Sequence, residues 1–200
     1  MIILDRIKQK NGLLQILIME LIGSFLLGVL IANVTKATYS TNTQYIDTLV
    51  YLDLNSLDKL QLLIFVMQYR IKEYLLIWLF SITILAVPYN TFYILYKGFT
   101  AGFVIGALSA LHGWKGTLCG ISLGMPHYLV YIVVLIQAVQ ISYKVHDRNS
   151  SGMYTKRTKL FVRYLPAFLV LLSVTIIGCF MEAFLNPAVV YWIKKTLKLA

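Results

Sequence analysis

KGFTAGFVIGALSALHGWKGTLCGISLGM (residues 97–125) places glycines at 98, 102 and 106, and again at 116, 120 and 124, four residues apart within each set. A glycine inside a soluble helix costs roughly 0.5–1 kcal/mol relative to alanine. In lipid the balance changes. Helices there gain little from burying apolar surface against one another, and close backbone approach at small residues drives their pairing. Positions four apart share a helix face. Gly98, Gly102 and Gly106 therefore form one smooth groove, and Gly116, Gly120 and Gly124 another, as in a glycine zipper. A hairpin joined at His112–Lys115 can press the two grooves together or accept a neighbouring helix in one of them.

The rest of the chain fits that setting. Its 200 residues are 59% hydrophobic and 13% charged, with a mean hydropathy of +0.75, whereas soluble domains carry about 25% charged residues. The run Leu13 to Ala32 follows Arg6, Lys8 and Lys10. It is of bilayer length, about 20 residues, and longer than the roughly 7–15 apolar residues of a signal peptide, so it reads as an uncleaved first span. The expected fold is all-α: a single integral membrane domain, 1–200, with about five transmembrane helices at 13–32, 74–87, 91–111, 116–142 and 164–184. A polar external segment, 33–73, contains an amphipathic helix from Leu57 to Tyr69, capped by Asn55 or Ser56 with Asp58 near its positive end. Residues 88–96 fit either the second or the third span around Pro88, and the first partition leaves the shorter second helix. The tail after Phe184 reads as an amphipathic surface segment.

The net charge of +10 is read by position. The N-terminal head and the 143–163 loop are the strongly positive segments, holding 9 of the 18 Lys and Arg residues, so both are expected in the cytoplasm. That role accounts for the charge without a nucleic-acid partner. Cys119 and Cys179 lie in apolar runs and read as core fillers. His112, His127 and His146 are scattered along the chain, so neither a metal nor another cofactor is expected.

Gly120-Ile-Ser-Leu-Gly124 matches the G-x-S-x-G pattern, but a nucleophile elbow needs a strand–turn–helix context. Ser122 and His127 are five apart and share a helix face poorly, so no catalytic residue is assigned. Among the polar residues in the apolar runs, Glu20, Lys97, His127 and Glu182 are singled out. A charge at mid-bilayer costs roughly 2.5–3.5 kcal/mol on insertion scales. Lys97 is expected to snorkel and Glu182 to sit at the interface. Glu20 is expected to find a partner among Lys97, Asn90 and His127.

The segment VPYNTFYILYKGFTAGFVIGALSALHGWKGTLCGISLGMPHYLVY resembles the core of the stage II sporulation protein M family. The resemblance rests on Pro88, Lys97-Gly98-Phe99, Gly102-Phe103, Gly113-Trp114-Lys115-Gly116 and Pro126, with Glu182 and Pro187 following the last span. His127 stands where the family pattern carries a glutamine. The resemblance implies a non-enzymatic protein of the bacterial membrane, multi-pass and septal during sporulation. It would anchor two peptidoglycan hydrolases, an amidase/endopeptidase and a lytic transglycosylase, while the mother-cell membrane engulfs the forespore. Self-association is left open. The alternative from the residues alone is a small transporter or permease subunit with Glu20 and Lys97 on a polar path.

Overall fold

The computed structural model describes residues 2–37, 58–150 and 157–197, and every element among them is helical. In chain order these are α1 (Ile2–Val34), α2 (Lys59–Phe80), α3 (Ala86–Gly124), α4 (His127–Ser150) and α5 (Arg157–Phe180). A π-helical turn (Met181–Leu185) follows and leads into α6 (Asn186–Leu197). The stretches Gly12–Val34, Ala86–Gly124, His127–Asp147 and Val162–Thr196 are long and apolar enough to cross a membrane. The chain is thus an all-α polytopic membrane protein.

The largest helix interface joins α1 to α3, and glycine creates it. A Cβ at Gly98 would come within 2.6 Å of the Leu21 carbonyl. One at Gly102 would lie 2.8 Å from the Phe25 carbonyl carbon, and one at Gly106 would lie 2.9 Å from Val29 Cα. Gly28 answers from α1, where a Cβ would lie 2.8 Å from the Phe103 nitrogen. The two helices run parallel, because Leu21, Phe25 and Val29 meet 98, 102 and 106 in the same order.

The glycine-rich stretch turns at Gly113, whose φ of 61° and ψ of −144° divide α3 into two arms. This conformation is open to glycine and strained for other residues. No neighbour lies within 4 Å of a Cβ built there, so backbone strain alone sets the cost of a side chain. Gly113→Ala is expected to destabilise by about 1–2 kcal/mol, measurable by denaturant unfolding in micelles.

The second arm folds back on the first. Gly116 packs on Leu108 and His112, and Gly120 on Ile105 and Leu108, while Gly124 faces the Tyr128 ring. The hairpin therefore does close, but not groove to groove. The 98–102–106 face is taken by α1, and the 116–120 face meets a different side of the first arm.

The arm ends at Met125–Pro126, a cis peptide bond, and α4 continues in the same direction. His146 Nδ1 meets the Thr83 carbonyl just before α3, and further along Asn90 Nδ2 donates to Ser142 Oγ at 2.7 Å; the partners run in reverse order, so α4 is antiparallel to the first arm of α3. The expected span at 116–142 is one descending leg broken at the proline.

Three boundaries differ from the sequence reading. The expected amphipathic helix and the start of the second span form one helix, α2, which Asp58 caps by accepting from the Leu60 amide at 2.9 Å. Asn55 and Ser56 lie outside the described residues. The break falls at 81–85, and Pro88 sits in the first turn of α3, where no intrahelical donor is needed. The tail also departs from the expected surface segment: α6 packs on α3, with Val190 and Lys194 buried.

Leu17, Tyr74, Ile77, Ile94, Val134, Val139 and Phe168 form the main core, to which α1 through α5 all contribute. The 81–85 turn meets the far end of α4 through Thr83 and His146, whose Nδ1 lies 3.1 Å from the Thr83 carbonyl.

Candidate functional site

Charged residues meet halfway along this bundle. Gly98 packs beside Leu21 and Ser24, near the middle of the Gly12–Val34 stretch, so Lys97 next to it lies at mid-span depth. Its ammonium group donates to Glu73 Oε1 of α2. One turn earlier on α2, Arg70 makes a forked contact with Glu182 of the π-helical turn: Nε to Oε2 at 3.2 Å and Nη2 to Oε1 at 3.0 Å. Arg70 Nη1 also lies 3.6 Å from Glu73 Oε2. The four charged side chains keep only 15–19% of their exposure.

Aromatic groups enclose the cluster. The Tyr131 hydroxyl donates to Glu182 Oε2 at 2.9 Å, and the Arg70 guanidinium lies over the Tyr131 ring at 4.5 Å. The Lys97 ammonium lies 5.3 Å from the Tyr93 centroid and 5.5 Å from that of Tyr69. Such cation–π contacts strengthen when desolvated. His127 is almost fully buried, with Nε2 3.8 Å from Glu182 Oε1.

The positions expected for Lys97 and Glu182 are therefore corrected. Neither reaches for an interface, because each has an opposite charge opposite it at mid-span. Burying an ion in a low-dielectric interior becomes tolerable when it is paired and hydrogen-bonded. Glu20 does not join them. Lys97 is engaged with Glu73, Asn90 with Ser142, and His127 faces Glu182, while the buried Glu20 Oε2 has no hydrogen-bond partner among the described residues. The Ser122 hydroxyl donates to the Cys119 carbonyl of its own helix at 2.7 Å.

Sequence reasoning singled out Lys97, Glu182 and His127 but missed Arg70 and Glu73, which it placed in the external segment. The signal was present in the spacing. Arg70 and Glu73 are three apart on α2, hence on one face, and two opposite charges on one face suit a partner pair of the reverse order.

A cavity of about 490 Å³ lies against this cluster, walled by Arg70, Glu73 and Lys97 and by Gly124 and Met125 at the helix break. On the far side of the break, Asn186 Nδ2 donates to the Leu123 carbonyl at 3.2 Å. This supplies a donor to a carbonyl in the last turn of the second arm, where helical carbonyls lack i+4 partners.

A parallel glycine-packed helix pair, a hairpin folded back from it and a neutral ion-pair cluster at mid-depth define a polytopic helical membrane protein whose charged groups face inward. The family model for stage II sporulation protein M matches residues 16–187, and the chain belongs to that family. The match takes in both glycine sets, the cluster and the helix break. No curated protein and no solved structure matches the chain. It is a membrane protein of a sporulation family.

Proposed function

We propose that this protein is a membrane scaffold, without catalytic chemistry of its own, that recruits and holds peptidoglycan hydrolases at the septal membrane during engulfment of the forespore. The family match over residues 16–187 carries this reading. The partners are an amidase/endopeptidase and a lytic transglycosylase. Orientation follows from charge: the sequence is strongly basic before the first span and over 143–163, and the positive-inside rule assigns both to the cytoplasm. The start of α2 and the Gly113 turn then face the wall, where the hydrolases work.

The packing supports a scaffold that presents a fixed outer surface. Both glycine faces are occupied from within the chain, so partner helices dock elsewhere on the bundle. The direct test is affinity capture of the tagged full-length protein from sporulating cells. Co-recovery of wall hydrolases is expected, and recovery of folded protein without any hydrolase would reject the proposal.

A further inference from the structure

The cavity beside the ion pairs has a chemistry of its own. Its volume of about 490 Å³ falls within the roughly 300–1,000 Å³ of small-molecule sites. It opens onto the outer surface of the bundle, where Ile22, Ile121 and Met125 of its wall are 41–53% exposed. Most of the wall is apolar, with Leu21, Phe25, Ala101 and Ile132 among its residues. Arg70, Glu73, Lys97 and the tyrosines 93, 128 and 131 form its polar side.

Two physical constraints narrow what fits. Arg70 and Lys97 balance Glu73 and Glu182, so the cluster is neutral with its present pairs. A ligand bearing net charge would bring an uncompensated ion into a low-dielectric site. Donors also outnumber acceptors. A guanidinium carries five N–H groups and an ammonium three, more than the contacts that Glu73 and Glu182 make with them. Glu182 stands behind this wall, outside the cavity lining, whereas both cations line it. The unspent hydrogen-bonding capacity is therefore for acceptor oxygens.

We infer that this cavity binds an uncharged, largely apolar molecule carrying carbonyl oxygens, which Arg70 and Lys97 hold at mid-bilayer depth. A quinone and a diacylglycerol share that chemistry. Broken helices line the mid-membrane substrate and ion sites of many transporters, and here the residues before the Met125–Pro126 break form part of the wall.

The test uses the full-length protein in detergent micelles, with binding followed by calorimetry and native mass spectrometry. The probes are decylubiquinone and dioctanoylglycerol, with decanoate, decyltrimethylammonium and dodecane as comparisons. Saturable one-to-one binding of either carbonyl probe is expected, and the tighter of the two identifies the source. The comparison compounds are expected to bind at least tenfold more weakly. Removing one pair as a neutral unit, Glu73→Gln with Lys97→Met, is expected to weaken carbonyl binding by roughly tenfold, the loss of one hydrogen bond from a charged donor. Ala101→Phe fills the space without touching a charge and is expected to abolish binding. Val104→Phe gives a second filling variant should the first fail to fold. No saturable binding of either carbonyl probe by the folded protein would overturn the inference. So would equal binding of a charged amphiphile or of dodecane, or binding that survives in a folded cavity-filled variant.

Discussion

Gly102→Ala is expected to destabilise the bundle by about 2–3 kcal/mol, at the upper end of overpacking costs, although it adds a single methyl group. The methyl would be driven into the Phe25 backbone, with the carbonyl carbon at 2.8 Å and Cα at 3.0 Å. Backbone on a helix cannot rotate aside as a side chain can, so relief requires α1 and α3 to separate. Separation would loosen the other close approaches at Gly28, Gly98 and Gly106 together. Gly23→Ala is the matched control. It adds the same methyl to α1 at a point with no neighbour within 4 Å. There the substitution is expected to be neutral, or stabilising by up to about 1 kcal/mol through helix propensity. Unfolding by denaturant in mixed micelles, followed by circular dichroism, reads both. Equal effects for the two variants would mean that the α1–α3 contact does not hold the bundle.

The second large effect lies in the ion pairs. Arg70→Met is expected to cost about 3–5 kcal/mol, because it leaves the Glu182 carboxylate buried without its counter-ion. Glu182→Met should cost a comparable amount by stranding the guanidinium beside Lys97. The double variant Arg70→Met with Glu182→Met removes both charges and leaves the Glu73–Lys97 pair neutral. It is expected to recover most of the loss, since replacing a buried pair by apolar groups is often close to neutral. The coupling energy of the double-mutant cycle is the decisive quantity. Additive losses would show that the two groups do not act as a pair. Lys97→Met is the more damaging single change on the other side of the cluster, because Arg70 alone must then serve two carboxylates.

The sequence was informative where one helix face carries one chemistry. Glycines at intervals of four announced close packing, and Pro126 announced a break, because both act through local backbone geometry. What occupied each glycine face was not legible. The partner of the 98–102–106 groove is α1, whose own matching signal is the single Gly28, and no periodicity links helices some seventy residues apart. Arg70 and Glu73 were misplaced for a related reason. Charge lowers the hydropathy of any window, so a helix neutralised by its neighbours reads as external until those neighbours are known. The snorkelling expected of Lys97 failed on the same point.

That dependence of α2 on its neighbours has a consequence for how the protein is made. Arg70 and Glu73 leave the ribosome before Lys97 and well before Glu182. Newly synthesised α2 thus carries Arg70 and Glu73 with only each other as counter-ions, and a charge opposes insertion by roughly 2.5–3.5 kcal/mol. Its full set of ion pairs forms only when α3 supplies Lys97 and the π-helical turn supplies Glu182. Likewise α1, inserted first, has no glycine-faced partner until α3 arrives. The second helix is therefore expected to reach its final seat after helices that follow it in the chain.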